Sequence, residues 1–251
     1  MSLASVLPLP AEVIVMNASM PNADVLRALD NPMWACLTTR HAHLALGNAL
    51  ARRYPVDISP IAGLPDVGAA NIAALEALVN VGDTMTTAGP YVPSLPSNWE
   101  VLHMSRATQM IRTERAPLPE ADVDASPLGP EDVPEMLALV ELTQPGPFRP
   151  RTIELGRFLG IRENGKLVAM AGERMWIGDC HEVSGVCTHP GVRGRGYAKA
   201  LMARVINRML RSGETPFLHV ESANARAIAV YRDLGFVTRA EFPLLYAKRI
   251  A

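Results

Sequence analysis

A turn rich in glycine and arginine lies in the last third of the chain, between a segment typical of a strand and one typical of a helix. It runs Arg193-Gly194-Arg195-Gly196-Tyr197-Ala198-Lys199. The first backbone N–H groups of a helix have no partner inside the helix, and the helix dipole adds partial positive charge there. Glycines also let a ligand approach the backbone closely. The turn therefore favours an anion such as a phosphate or diphosphate, although an ordinary strand-to-helix connection is the alternative.

The elements around this turn can be predicted from capping residues and apolar spacing. His181–Thr188 indicates a strand before the turn, and a helix with an apolar stripe begins at Ala198. Phe217–Val220 is typical of a buried strand. The next helix is delimited by Asn224, a good N-cap, and by Gly235, a good residue just past a helix end. The predicted order is strand, turn, helix, strand, helix.

The glycine pattern of the turn excludes two common nucleotide-binding motifs. A P-loop would continue into Gly-Lys-Ser/Thr, and a dinucleotide fingerprint needs three spaced glycines and a later acidic residue. The turn instead contains Arg193-x-x-Gly196-x-Ala198. This pattern resembles the Arg/Gln-x-x-Gly-x-Gly/Ala signature of the GNAT superfamily of acyl-CoA-dependent N-acyltransferases.

A second match to the same superfamily follows at its usual distance. It is the pattern Asn224-x-x-Ala227-x-x-x-Tyr231-x-x-x-Gly235-Phe236. With both motifs in order, the chain resembles a GNAT domain from about Ser126 to its C-terminus. The sequences of Val183–Pro190 and Glu221–Asn224 are most similar to the branch related to glycine N-acyltransferases.

The resemblance implies an α/β fold with a GNAT-like mixed central sheet flanked by helices. It implies acetyl-CoA as the acyl donor and no metal, with the diphosphate of CoA on the amides of the turn. It also implies that the strand before the turn splays from its neighbour, so that free backbone groups pair with the pantetheine arm and the acyl carbonyl. The positions that match cofactor-binding residues of the family are Val186, Cys187, Thr188, Arg193, Gly194, Arg195, Gly196, Tyr197, Ala198, Lys199 and Asn224.

Two residues are candidates for proton transfer. Tyr231 matches the family's usual proton donor to the departing sulfur, and a phenol with a pKa of about 10 is a reasonable acid for a thiolate. A ring that only packs on the sheet is the alternative. Glu182 is the candidate base, acting through water, although an exposed strand glutamate is an equally good interpretation, and Glu173 is a weaker candidate. Cys187 lacks an evident histidine–acid partnership, so a buried thiol fits better than a covalent nucleophile.

Composition narrows the class of protein. The chain has 251 residues, 49% of them hydrophobic, and a net charge of −1, so we expect a real core and neither a nucleic-acid nor a membrane partner. No apolar run approaches the roughly 18–20 residues of a membrane span, and the start lacks the charged region of a signal peptide. Three cysteines without metal-ligand spacing fit free thiols in a reducing cytoplasm. We therefore expect a cytoplasmic protein, with a homodimer left open.

The first half of the chain predicts an additional N-terminal α/β module. Prolines cluster between Ala116 and Pro134, which suggests a linker and a division into residues 1–120 and 121–251. Whether the first module is a degenerate relative of the second stays open. His41 and His43 have no third metal ligand at sensible spacing, so we interpret them as surface or capping histidines. The predicted elements of this half are strands at Val13–Met16, Met33–Leu37, Tyr54–Ala62, Asp83–Ala88 and Trp99–Thr113 and helices at Asn22–Leu29 and Val67–Val81.

These patterns predict an acyltransferase. We expect transfer of an acetyl group from CoA to a primary amine of a small molecule or peptide by direct attack, with Tyr231 as the general acid. A non-catalytic module that senses acyl-CoA or assembles with a partner is the alternative. The presence of Tyr231 favours the enzyme, because a pseudoenzyme tends to lose its proton donor.

Overall fold

The computed structural model describes residues 20–251. Its α-helices are α1 (Ala23–Ala28), α2 (Pro32–Thr38), α3 (Ala69–Leu78), α4 (Val133–Thr143), α5 (Tyr197–Arg211) and α6 (Ala225–Asp233). Its strands are β1 (Leu46–Gly47), β2 (Arg52–Arg53), β3 (Ala62–Gly63), β4 (Thr84–Ala88), β5 (Trp99–Ile111), β6 (Ala125–Leu128), β7 (Phe158–Glu163), β8 (Lys166–Ile177), β9 (Cys180–Thr188), β10 (Thr215–Glu221) and β11 (Val237–Arg249). Short 3₁₀ helices span Pro130–Asp132, Thr152–Leu155 and Pro190–Val192. The predicted strand Val13–Met16 lies outside the described residues.

One large mixed sheet organises the fold. Its strand order is β4-β11-β5-β10-β9-β8-β7-β6, and a small sheet of β1, β2 and β3 accompanies it. β9 and β10 are parallel, whereas the other neighbours are antiparallel. Helix α5 packs on β8 and β9, and α2 and α4 also contact β8. The predicted fold class, a mixed central sheet flanked by helices, is confirmed.

Strands from both halves of the chain alternate in the large sheet. The last strand, β11, lies between β4 and β5 of the first half, and β5 also pairs with β10. A buried cluster likewise joins Leu29 and Ile111 with Met175 and Phe217. The predicted division into two packed modules after residue 120 is therefore wrong, because this sheet and this core contain residues of both halves.

Two strand predictions in the first half are also wrong. Met33–Leu37 lies in α2, where Pro32 occupies the first turn, the position a helix tolerates best for proline. A short apolar run does not distinguish a buried helix from a strand by its period. Of Tyr54–Ala62, only Ala62 joins a named strand. Pro55 and Pro60 have no backbone N–H to donate to a ladder.

The sequence predicts a surface or capping role for His41, but the side chain is buried, with 4% of its surface exposed. Its Nδ1 is 2.7 Å from Tyr54 Oη, which in turn lies 3.5 Å from Cys36 Sγ. Burial, together with the nearby His43 and His181, lowers the pKa of His41 to about 4. The ring is therefore neutral at pH 7 and forms part of the core between the first half and the sheet.

Candidate active site

A gap opens between β9 and β10 in the middle of the sheet. The two strands pair only from Thr215↔Cys180 to Phe217↔Glu182, although β9 continues to Thr188 and β10 to Glu221. Past Glu182, the edge of β9 that faces away from β8 therefore has no strand partner among residues 20–251. Unpaired backbone groups on a central strand can bind an extended ligand by adding hydrogen bonds along the edge. The splay implied by the family resemblance is present.

The turn between β9 and α5 presents unpaired backbone donors. Among the described residues, no acceptor is found for the backbone N–H groups from Gly194 to Lys199. Gly194 and Gly196 have φ values of +85° and +81°, a conformation that favours glycine. A Cβ at either position would meet nothing within 4 Å, so the space beside the turn is open. These donors, the open space and the helix dipole make the turn suitable for a diphosphate.

The side chains of the turn are less available than its backbone. Tyr197 Oη donates to Glu163 Oε1 over 2.6 Å, and Arg195 Nη1 donates to the same oxygen over 2.8 Å. Lys199 Nζ lies 3.7 Å from Asp233. Arg193 is exposed and pairs with none of the acidic residues that the structure describes. The predicted contacts of Arg195 and Tyr197 with acetyl-CoA would therefore compete with their hydrogen bonds to Glu163. Contacts of the backbone N–H groups with acetyl-CoA would not.

The predicted residues of β9 divide between its two faces. Val186 packs against the cluster under α5, whereas Cys187 packs with Phe158 and Met170. Burial raises the pKa of the Cys187 thiol to about 11, which fits a buried structural thiol and not a nucleophile. Thr188 Oγ1 is buried and has no hydrogen-bond partner among residues 20–251, so it is a polar atom that a ligand in the gap could satisfy.

Helix α6 carries Asn224 and Tyr231. Asn224 Oδ1 accepts from the backbone N–H of Ala227, as expected of an N-cap, and its amide nitrogen makes no hydrogen bond with a described residue. Tyr231 packs its ring against Phe236, with 6.4 Å between ring centroids. Its hydroxyl likewise has no partner in the part of the chain that the structure describes. Burial raises the pKa of Tyr231 above its ordinary value of 10.0, so the phenol is protonated at neutral pH.

Glu182 lies in a site that disfavours the predicted role of base. It is fully buried, and both of its oxygens are occupied. Arg174 donates to them through Nε and Nη2, each over 2.7 Å, while Met175 N and His219 Nδ1 also donate, over 3.3 Å and 2.8 Å. Burial alone would raise the pKa of Glu182, but the Arg174 charge and these hydrogen bonds outweigh it and lower the pKa to about 2.

Glu182 instead belongs to a buried hydrogen-bond chain. An ionised carboxylate only accepts, so His219 carries its proton on Nδ1. Gln109 Nε2 then donates to His219 Nε2 over 3.0 Å, and Gln109 Oε1 accepts from Arg239 Nη1 over 2.7 Å. The predicted weaker base, Glu173, is also buried and binds Arg208. Neither carboxylate is placed to accept a proton from an amine.

Sequence reasoning missed Arg174 and His219. The signal for Arg174 was present: β8 and β9 are joined by the two residues Gly178 and Asp179, and a two-residue hairpin places Arg174 close to Glu182 on the facing strand. No such local signal exists for His219, because its strand reaches Glu182 only through the long α5 crossover.

A small solvent-open cleft adjoins this network at Arg174. The loop Pro145–Phe148 after α4 forms one wall. Arg174, Ser184 and Gly185 form part of the other, with Gly185 in the left-handed region at φ +63°. The cleft therefore adjoins the part of β9 that separates from β10.

Residues 20–251 contain neither a cluster of metal ligands nor a membrane-spanning helix. No group of three or more His, Cys, Asp or Glu residues there could hold a metal ion. None of the helices there is both long and apolar enough to cross a membrane.

Comparisons with known proteins define the family. The model of the Acetyltransferase (GNAT) family matches residues 131–236. The chain is 36% identical to a GNAT-family protein of solved structure from Novosphingobium aromaticivorans DSM 12444, over 88% of this chain and 98% of that one, with a TM-score of 0.80. A GCN5-related N-acetyltransferase from Kribbella flavida shares the fold at 16% identity, over 90% and 96%, with a TM-score of 0.56. No curated protein matches significantly. The chain belongs to the GNAT acetyltransferase family.

Proposed function

We propose that the protein transfers an acetyl group from acetyl-CoA to a primary amine of a small molecule or peptide. The observation that carries this proposal is the set of unpaired N–H groups from Gly194 to Lys199, next to the unpaired edge of β9. A diphosphate fits the N–H groups of the turn, and the pantetheine arm and acyl carbonyl fit the edge of β9. We expect the thioester to lie in the gap between β9 and β10, where it would meet the amine.

In the proposed mechanism the neutral amine attacks the thioester carbonyl directly. The new C–N bond forms as the C–S bond breaks, and backbone N–H groups of β9 near Val186–Thr188 stabilise the oxygen as it gains charge. Tyr231 donates its phenolic proton to the departing thiolate and regains one from solvent. The proton lost by the amine goes to water, since Glu182 is buried and held by Arg174. Asn224 contributes its free amide nitrogen to the pantetheine arm.

The resemblance of Val183–Pro190 and Glu221–Asn224 to the glycine N-acyltransferase branch supports a small-molecule acceptor over a peptide. A cytoplasmic location and a homodimer also remain predictions from the sequence.

The proposal is tested by release of free thiol from acetyl-CoA in the presence of a panel of amino acids, small amines and N-terminal peptides. We expect acceptor-dependent thiol release, with the acetylated amine identified by mass spectrometry. Tight acetyl-CoA binding without turnover on any amine would contradict the proposal and would favour a non-catalytic acyl-CoA sensor.

A further inference from the structure

Arg174 is held rigidly and has one nitrogen to spare. Its Nε and Nη2 donate to Glu182, which fixes the plane of the guanidinium. Nη1 donates to no residue that the structure describes, and 18% of the side chain remains exposed. The exposed part lines the cleft. An arginine whose orientation is fixed in this way loses little further freedom when it binds an anion.

Among the described residues that line the cleft, Arg174 is the one with a charge. The other described lining residues are proline, glycine, phenylalanine, threonine and serine, and none of them is a carboxylate. Thr152 Oγ1 is already engaged, since it donates to Ile58 O and accepts from Arg149 N. Ser184 Oγ makes no hydrogen bond with any residue in 20–251. Arg174 and Ser184 thus supply the free polar groups of the cleft, and an acceptor with an extra positive charge would find no partner there.

From these contacts we propose, building on the acetyltransferase function proposed above, that Arg174 anchors a carboxylate of the acceptor. The substrate class is then an amine that also carries a carboxylate. Glu182 is a positioning residue that holds the guanidinium, and Ser184 offers a second hydrogen bond. The apolar side chains of Phe148 and Phe158 beside it lower the local polarity, which strengthens an ion pair.

The test compares matched acceptors that differ only in carrying a carboxylate or a carboxamide, such as glycine with glycinamide and alanine with alaninamide. The kcat/KM values are corrected to equal concentrations of neutral amine. We expect the carboxylate member of each pair to be preferred by about 10–100-fold, as for a hydrogen bond between charged groups.

Variants locate the preference at Arg174. Arg174→Gln alone leaves Glu182 buried without its partner and could unfold the protein, so the variant to measure is Arg174→Gln with Glu182→Gln, beside Arg174→Lys. We expect the carboxylate-to-carboxamide ratio to fall towards one in the double variant, mainly through KM, with acetyl-CoA affinity unchanged. Arg106→Gln, which removes an exposed arginine paired with Glu241, should keep the wild-type ratio.

The outcomes separate the two proposals. Equal acetylation of carboxylates and carboxamides by the wild-type protein, or an unchanged ratio in the folded double variant, would overturn the role of Arg174 and leave the acetyltransferase intact. Absence of acetylation of every amine would overturn both. Because the wild-type ratio is informative by itself, a variant that fails to fold does not remove the test.

Discussion

Two regions in and after β9 use their polar groups in opposite ways. After its end, the turn from Gly194 to Lys199 leaves a run of backbone donors, next to open space, without acceptors among the described residues. Near its start, Glu182 accepts from four donors and is closed off from water. The hydrogen-bond donors of the turn need a ligand to be satisfied, whereas the polar groups around Glu182 are nearly all satisfied within the protein.

This difference decides which residues we assign to chemistry. Groups that are already paired in a buried site gain little from a ligand, and freeing them costs their hydrogen bonds. Unpaired groups next to open space gain a partner when a ligand binds. We therefore place binding at the turn, at the edge of β9 and at Arg174 Nη1, and we treat Glu182 and His219 as the support behind them.

The largest expected effect follows removal of the Tyr231 hydroxyl. Tyr231→Phe keeps the ring that packs on Phe236 but removes the proposed proton donor. We expect kcat to fall by about 10²–10⁴-fold with little change in the Kd of acetyl-CoA. Pre-steady-state kinetics should confirm that chemistry limits the rate, and thermal unfolding should show that the variant is folded. A loss of less than about threefold would return Tyr231 to a packing role.

Loss of the Glu182 carboxylate should lower the free energy of unfolding. Glu182→Gln leaves the Arg174 guanidinium without its carboxylate, and breaking a buried pair in this way costs about 3–5 kcal/mol. The matched control is Glu241→Gln, whose partner Arg106 is exposed, with an expected cost of at most about 1 kcal/mol. Urea denaturation measures both. Similar losses in the two variants would show that the Glu182 site is not the closed network described above.

The smallest effect is a pH dependence of stability in the first half. The pKa of His41 is lowered to about 4, so between pH ~6.5 and ~4 the unfolded chain binds the proton that the folded protein excludes. Its contribution to the free energy of unfolding is present above pH ~6.5 and is lost as the pH falls towards 4. Glu182, with a pKa of about 2 against an ordinary 4.5, adds a loss only below pH 4.5.

Replacing His41 separates these two windows. His41→Gln should flatten the curve of unfolding free energy against pH between 4 and 6.5 relative to the wild-type protein, while leaving the steeper loss at lower pH. Urea titrations at several pH values measure this. An unchanged slope in that window would mean that His41 titrates alike in the folded and unfolded states.

The turn could be predicted from the sequence because its signals are local. Gly194, Gly196 and the apolar stripe of α5 lie within one continuous segment, and Asn224 and Gly235 mark both ends of α6 through capping chemistry. Local rules therefore gave β9, the turn, α5, β10 and α6 in the right order. The site assigned to the diphosphate depends on these elements alone.

The buried network could not be predicted because it depends on contacts between distant segments. The network joins Glu182 through His219 to Gln109 of the first half, and no local pattern indicates that β5 lies beside β10 and β11. The same long-range pairing made the division after residue 120 wrong, since prolines near Ala116 mark a turn in the chain and not the edge of a core. The contact between Arg174 and Glu182 is the part of the network that could have been predicted, because the β8–β9 hairpin brings the two residues together.

Binding of CoA to a matched pair of glycine variants tests the central claim most directly. Gly196 and Gly213 flank α5, have φ values of +81° and +78°, and face open space, so valine should strain the two positions alike. Gly196 adjoins the unpaired N–H groups, whereas Gly213 lies at the other end of the helix. We predict by calorimetry that Gly196→Val raises the Kd of CoA at least about 100-fold, through loss of charge-assisted hydrogen bonds, and that Gly213→Val leaves it within about threefold of the wild-type value. A folded Gly196→Val protein that binds CoA as tightly as Gly213→Val would contradict the assignment of this turn to the diphosphate.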